Sequence, residues 1–280
     1  FASRIERGNP NDPLLRQVLP DSRESLEVAG FGSDPVGDNA ARVTPGLLHK
    51  YVGRALMITT GACGIHCRYC FRRDYPYIET SGRANKYDDA IGYLRETPSV
   101  DEVLLSGGDP LTLTDAALDD LITRIESIPH VQRLRFHTRM PIVLPSRVTE
   151  SLLERLRRSR LSVWWVVHTN HANEIDDDTA AALSRLVDAG FPVLNQAVLL
   201  RSINDDVQTL ADLSTRLINL RVMPYYLHQL DRVAGAAHFE VDPLHGVELV
   251  RQLAERLPGY AVPRFVREVE GESSKTLVQS

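Results

Sequence analysis

Apolar residues in this chain come in short β-rich runs separated by longer amphipathic stretches. Six runs, at 55–60, 102–105, 133–137, 162–168, 192–200 and 222–227, predict buried strands. Between and after them, 115–128, 149–160, 176–189, 206–220 and 245–257 carry the period of a helix. Leu183, Leu186 and Val187 stand at i, i+3 and i+4, one buried stripe of the third of these helices. Thr114 or Asp115, Thr149 and Asp176 have the side chains of N-caps, and Gly190 is a natural stop. Strand starts at 102, 133, 162, 192 and 222 lie 31, 29, 30 and 30 residues apart, the length of a strand plus its return helix. Alternation of this kind predicts βα units and a parallel sheet. Six units are fewer than the eight of a closed barrel, so an open barrel and a doubly wound sheet both satisfy the pattern.

Residues 1–48 break the regularity. They hold five prolines, and prolines on both sides of a short amphipathic piece at 14–19 limit any helix there to a turn or two. The expectation is an irregular wrap over 1–48 and one α/β domain over 49–280. Composition is that of an ordinary globular protein, with 43% hydrophobic and 25% charged residues. A net charge of −5 offers no basic footprint for nucleic acid, and no apolar run is long enough for a membrane helix. With no targeting segment and with unpaired clustered thiols, the expected compartment is the cytoplasm.

The chemistry concentrates in one loop. All three cysteines, Cys63, Cys67 and Cys70, fall within eight positions as C-x3-C-x2-C, directly after the first predicted strand. An odd, clustered set points to a bound metal rather than to disulfides. A zinc site would need His66 as an awkward fourth ligand between two of the others. An iron–sulfur cube held by three thiolates leaves one iron open for a substrate or cofactor. Polar groups gather near the ends of the other strands: Ser106 to Pro110, His137 to Arg139, His168 to His171, and His228 to Asp231, with Asn195 and Gln196 inside the fifth. Ligands bind at that end of parallel α/β folds. Only Lys50, Lys86 and Lys275 can supply a lysine amine, and Lys275 stands in a small-residue loop after an apolar strand.

The cysteine spacing resembles the signature of the radical S-adenosylmethionine (SAM) enzymes. The stretches GLLHKYVGRALMITTGACGIHCRYCFRR, LLSGGDPL, HTNHANEI, LNQAVLLRSIND, MPYYLHQLD and GESSKT resemble the lysine 2,3-aminomutase family over nearly the whole chain. GNPNDPLLRQVLP and PYYLHQLDRVAGAAHF are most similar to its bacterial branch that makes β-lysine for modifying elongation factor P. The resemblance implies a partial (β/α)6 barrel. It implies three cofactors: a [4Fe–4S] cluster on Cys63, Cys67 and Cys70, SAM bound to the open iron, and pyridoxal 5′-phosphate (PLP) carried on Lys275. It implies that Gly107, Gly108 and Asp109 contact the amino group of SAM, and that His168 and Gln196 lie near SAM and the pyridoxal ring. Tyr51 and Arg54 match PLP-phosphate contacts, with Lys50 beside them where fermentative members have arginine. Arg72 matches the grip on the substrate carboxylate, while Asp231 and Glu268 match two carboxylates on its far amino group, the second an aspartate in fermentative members.

The implied reaction moves the amino group of free L-lysine from C2 to C3, started by a radical from SAM and an electron from an external donor. Elongation factor P and its ligase are the implied functional partners. A fermentative aminomutase, a radical SAM enzyme without PLP, and a metal-binding scaffold that never cleaves SAM are the competing expectations.

Overall fold

Strand β3 (Arg54–Thr60) opens a run of parallel neighbours that follow one another in chain order: β4 (Glu102–Gly107), β5 (Arg133–Thr138), β6 (Ser162–His168), β7 (Val193–Val198), β8 (Met223–His228) and β9 (Arg264–Arg267). The structure is a computed structural model, and it describes residues 1–80 and 87–279. Because the order never reverses, successive right-handed crossovers all lay their helices on one face, and the sheet curls around the other. A doubly wound sheet needs a reversal of strand order. The arrangement is therefore an open barrel.

The six expected strands are present within one or two residues of the positions read from the sequence. The short apolar strand before the terminal loop, β9, adds a seventh parallel member. Its four residues put only Phe265 and Val266 inside, too little to mark a full βα unit by pattern. Antiparallel strands flank the run: β1 (Arg42–Thr44) and β2 (Leu47–Tyr51) before it, and β10 (Thr276–Leu277) after it. One helix, Asp88–Glu96, was not expected, and its N-cap, Tyr87, with φ 65, makes no side-chain cap. Thr114, Thr149 and Asp176 cap their helices as expected. Among the described residues no helix is long and apolar enough to cross a membrane.

Alternation along the strands divides the interior in two. Outward residues such as Met57, Leu105, Phe136, Trp165 and Leu227 pack under the helices as the main apolar core, with the Phe136 and Trp165 rings stacked 4.7 Å apart. Inward residues are largely polar and enclose a cavity of about 530 Å³.

The N-terminal segment enters this architecture instead of lying on its surface. Gly32 bridges to Val233 beyond β8, and Glu24 binds Arg68 and Arg73 of the cysteine loop. Gln17 joins a buried network in which Glu174, with 0% exposure, accepts from Gln17 at 3.0 Å, Arg139 at 2.9 Å and the Asn170 amide at 2.9 Å. Removing one side of a buried pair strands the other charge, at a cost of about 3–5 kcal/mol. Glu174→Gln keeps the shape but not the charge, so a loss of roughly 3 kcal/mol is expected in urea unfolding. An unchanged midpoint would show that Arg139 finds another counter-ion.

Candidate active site

The cysteine loop leaves β3 at Thr60 and is shaped by the turn after β4. Gly108 N–H donates to the Thr60 carbonyl at 2.7 Å, and Asp109 N–H to that of Ala62 at 2.8 Å. Backbone meets backbone here. A Cβ on Gly107, whose φ is +115, would stand 2.6 Å from the Thr60 oxygen, and one on Gly108 would overlap Ala62. Both glycines are therefore needed for the contact that sets the cysteine loop. The carboxylate of Asp109 is fully engaged: Oδ1 accepts from Leu111 N and Thr138 Oγ1, Oδ2 from Arg139 N and Met140 N. It ties the ends of β4 and β5 together.

Cys63, Cys67 and Cys70 are free thiols, and all three line the cavity. Burial pushes the Cys63 thiol up to about 12 and the Cys70 thiol up to about 11, with the neighbouring thiols adding to it. Thiols this reluctant to ionise alone need a cation to hold them as thiolates. Among the described residues, no three Cys, His, Asp or Glu side chains converge as the donor set for a single metal ion. Arg139 donates to Cys67 Sγ, and His168 meets the Tyr69 hydroxyl at 2.8 Å beside it. Burial first, then the Arg139 charge, holds His168 down at about 3, so its imidazole is neutral.

From this rim the cavity runs down the inside of the barrel to the starts of the strands. Arg54, Arg135 and Arg264 lie at or near strand starts and give it a basic floor, with the Arg54 guanidinium 4.5 Å over the Tyr51 ring. Of these three arginines the sequence reading had singled out only Arg54. Side chains alternate across a strand, so the inward-facing set was visible only once the sheet had closed around it.

Across the cavity runs a chain of alternating charges. Arg72 Nε pairs with Asp38 Oδ2 at 2.6 Å, Asp38 Oδ1 with Lys50 Nζ at 2.6 Å, Lys50 with Glu268 Oε1 at 2.8 Å, and Glu268 Oε2 with Lys275 Nζ at 2.6 Å. Burial raises the Glu268 carboxyl, but the ammonium groups of Lys275 and Lys50 more than offset it and hold it at about 2. Burial lowers Lys50, and Asp38 and Glu268 together reverse that, so it stays charged. Arg72 is further fixed by Ser106 Oγ at 3.2 Å and by the Phe71 ring under its guanidinium. Asp38 comes from the N-terminal segment and is 1% exposed; the sequence reading had left it in the irregular wrap.

Asp231 differs from these carboxylates. It lines the same cavity, and no hydrogen bond or ion pair reaches its side chain among the described residues. Burial pushes it up to about 7, against the pull of Lys275. Gln196 and His137 also face the cavity, and His137 Nε2 is buried with no hydrogen-bond partner among the described residues. His137, noted in the sequence only as a polar strand end, thus joins the candidate site. All the expected site residues, from Tyr51 to Lys275, line this one space. Lys86 lies outside the described residues.

The profile of the Radical SAM superfamily matches residues 57–213. The chain is 49% identical over 276 residues to the L-lysine 2,3-aminomutase of Escherichia coli (strain K12), covering 99% of this chain and 80% of that one. The chain belongs to the lysine 2,3-aminomutase family of radical SAM enzymes. Identity to the L-lysine 2,3-aminomutase of Clostridium subterminale is 39%, covering 99% of this chain and 67% of that one. A radical SAM methyltransferase from Sphaerobacter thermophilus shares the fold, with a TM-score of 0.56 at 18% identity over 81% of this chain and 71% of that one.

The family's cofactors are a [4Fe–4S] cluster, SAM and PLP, and the donor sets of this aminomutase-family chain fit them. Three thiols stand on one cavity wall against a backbone turn with no room for side chains. Past the carboxyl end of β9 an amine, Lys275, faces the same cavity and is linked through Glu268 to Lys50, which stands beside Tyr51 and Arg54, groups that suit a phosphate.

Proposed function

We propose that this chain converts L-lysine to β-lysine, and the observation that carries the proposal is the single cavity holding three thiols, a lysine amine and an unpaired carboxylate. When bound, the cluster and SAM supply a hydrogen-abstracting radical and PLP supports the migrating nitrogen. Cys63, Cys67 and Cys70 hold the cluster. Gly107 and Gly108 provide the close wall for SAM, Asp109 acts through the turn it fixes, and His168 and Gln196 stand between the two ends. Lys275 carries PLP, while Tyr51 and Arg54 take its phosphate. Arg72, locked in orientation by Asp38 and Ser106, presents its remaining nitrogen to the substrate carboxylate.

Lysine differs from shorter amino acids by a cation at the end of its stem, and Asp231 is the carboxylate left open to receive it. Loss of one side of a desolvated charge pair costs about 3–5 kcal/mol, so Asp231→Asn is expected to cut kcat/KM for lysine by roughly two to four powers of ten. Asp231 must be ionised to attract an ammonium. With its carboxyl near 7 in the free protein, kcat/KM falls as pH drops through that value, and Asp231→Asn removes this acid limb. A variant with near-normal kcat/KM would end the assignment.

The deciding experiment is anaerobic incubation of reconstituted protein with lysine, SAM, PLP and an external one-electron reductant, followed by product analysis. Formation of β-lysine establishes the reading, and deoxyadenosine without β-lysine would favour a radical SAM enzyme of another kind. The stretches at 8–20 and 224–239 support a role in supplying β-lysine for elongation factor P. Transfer of the enzyme's product to that factor by its ligase is the corresponding test.

A further inference from the structure

Of the three thiols, only Cys67 takes a hydrogen bond from a charged side chain among the described residues, and the donor is Nη1 of Arg139. That guanidinium is not free to swing. Its Nη2 donates to Gln17 Oε1 at 2.7 Å and to Glu174 Oε2 at 2.9 Å. The ring centres of Phe1 and Tyr69 lie 5.1 and 6.0 Å from its central carbon. At the other end of the residue, the backbone N–H donates to Asp109 Oδ2 at 2.7 Å, in the turn that shapes the cysteine loop. Glu174 is held in turn by Gln17 and by the amides of Asn170 and His171. Arg139 and Glu174 therefore form a fixed, buried dipole with its positive end against a cysteine sulfur.

We propose that Arg139 is a positioning residue that raises the reduction potential of the iron–sulfur site, acting through Cys67. It rests on the three-thiolate assignment of the loop and deepens it, since that assignment makes Cys67 a ligand and leaves its tuning open. Reduction passes one electron from the external one-electron donor to the site, which becomes more negative by one charge. No bond forms or breaks, and no proton moves. A cationic donor on a ligand sulfur stabilises the more negative state further, so the equilibrium shifts toward reduction. Arg139 is only 7% exposed, so water screens this little. Glu174 opposes it, but from the other nitrogen of the fork, and the charge nearest the sulfur stays positive.

The potential is read without turnover, by dye-mediated titration of the reconstituted protein without SAM, followed by electron paramagnetic resonance. The double variant Arg139→Gln, Glu174→Gln removes both charges and strands neither. It is expected to shift the reduction equilibrium about tenfold toward the oxidised form, about 59 mV more negative for one electron. Glu174→Gln alone leaves the Arg139 charge uncancelled, and its potential should move the opposite way. Opposite shifts from two variants that loosen one network separate tuning from a structural role. A shift of less than about twofold, roughly 18 mV, in a double variant with full iron content overturns the proposal. So does a fall in potential in Glu174→Gln. If the double variant holds no cluster, Arg139→Lys decides: it keeps the charge without the fork, and its potential should fall by a smaller factor. Loss of the cluster there too means that Arg139 builds the site and does not tune it, and the proposal falls. If the wild type itself assembles no cluster, the three-thiolate assignment fails first.

Discussion

Lys275→Ala abolishes β-lysine formation, and borohydride treatment of the PLP-loaded wild type leaves the reduced cofactor on the peptide that carries residue 275. The argument is one of competing amines. Lys50 lies in the same cavity, but its nitrogen donates to Val36 and Glu268, pairs with Asp38 as well, and is held charged by the two carboxylates. A charged nitrogen has no lone pair to offer a carbonyl. Among the described residues Lys275 has one acidic partner, Glu268, at the start of the loop that carries it. The variant is expected to assemble its cluster and to cleave SAM slowly, because the thiols belong to a separate loop, after β3. Label recovered on Lys50 or Lys86 would overturn the assignment, as would β-lysine formation at more than about one-thousandth of the wild-type rate, the loss typical of removing a covalent-catalysis group.

Cys63→Ala, Cys67→Ala and Cys70→Ala should each abolish deoxyadenosine production, again with the fold retained. The chain has no fourth cysteine to substitute for a lost one. His66 is exposed, between Ile65 and Cys67, and does not line the cavity. The loop contributes little to the main core, which lies on the other face of the sheet, so circular dichroism and melting temperature should change little. The readouts are iron content, the absorbance of the cluster and the yield of deoxyadenosine. Deoxyadenosine at the wild-type level from any one variant would rule out the three-thiolate site.

The local order of the barrel was legible in the residues. Strand and helix periods, N-caps at Thr114, Thr149 and Asp176, and the thirty-residue spacing are local properties, written in neighbouring positions. The cysteine motif is equally local, since eight consecutive residues carry all three ligands. β9 escaped as a parallel member because two buried side chains make no measurable period, and helix Asp88–Glu96 escaped because its start lacks a capping side chain. The choice between an open barrel and a doubly wound sheet was also beyond reach, because periodicity says nothing about the order in which strands pair.

The sequence by itself determined which elements form and which chemical groups the protein owns: three thiols, a few lysines, and carboxylates at the strand ends. Only the tertiary structure decided who meets whom. Asp38 sits in a stretch that reads only as an irregular wrap, yet folding buries it between Arg72 and Lys50. Glu268 and Asp231 read alike as carboxylates, but two lysines pair with the first and, among the described residues, none pairs with the second. Such pairings join residues up to more than two hundred positions apart. Charge attraction has no period along the chain, and which pair forms depends on which strands the closed sheet brings face to face.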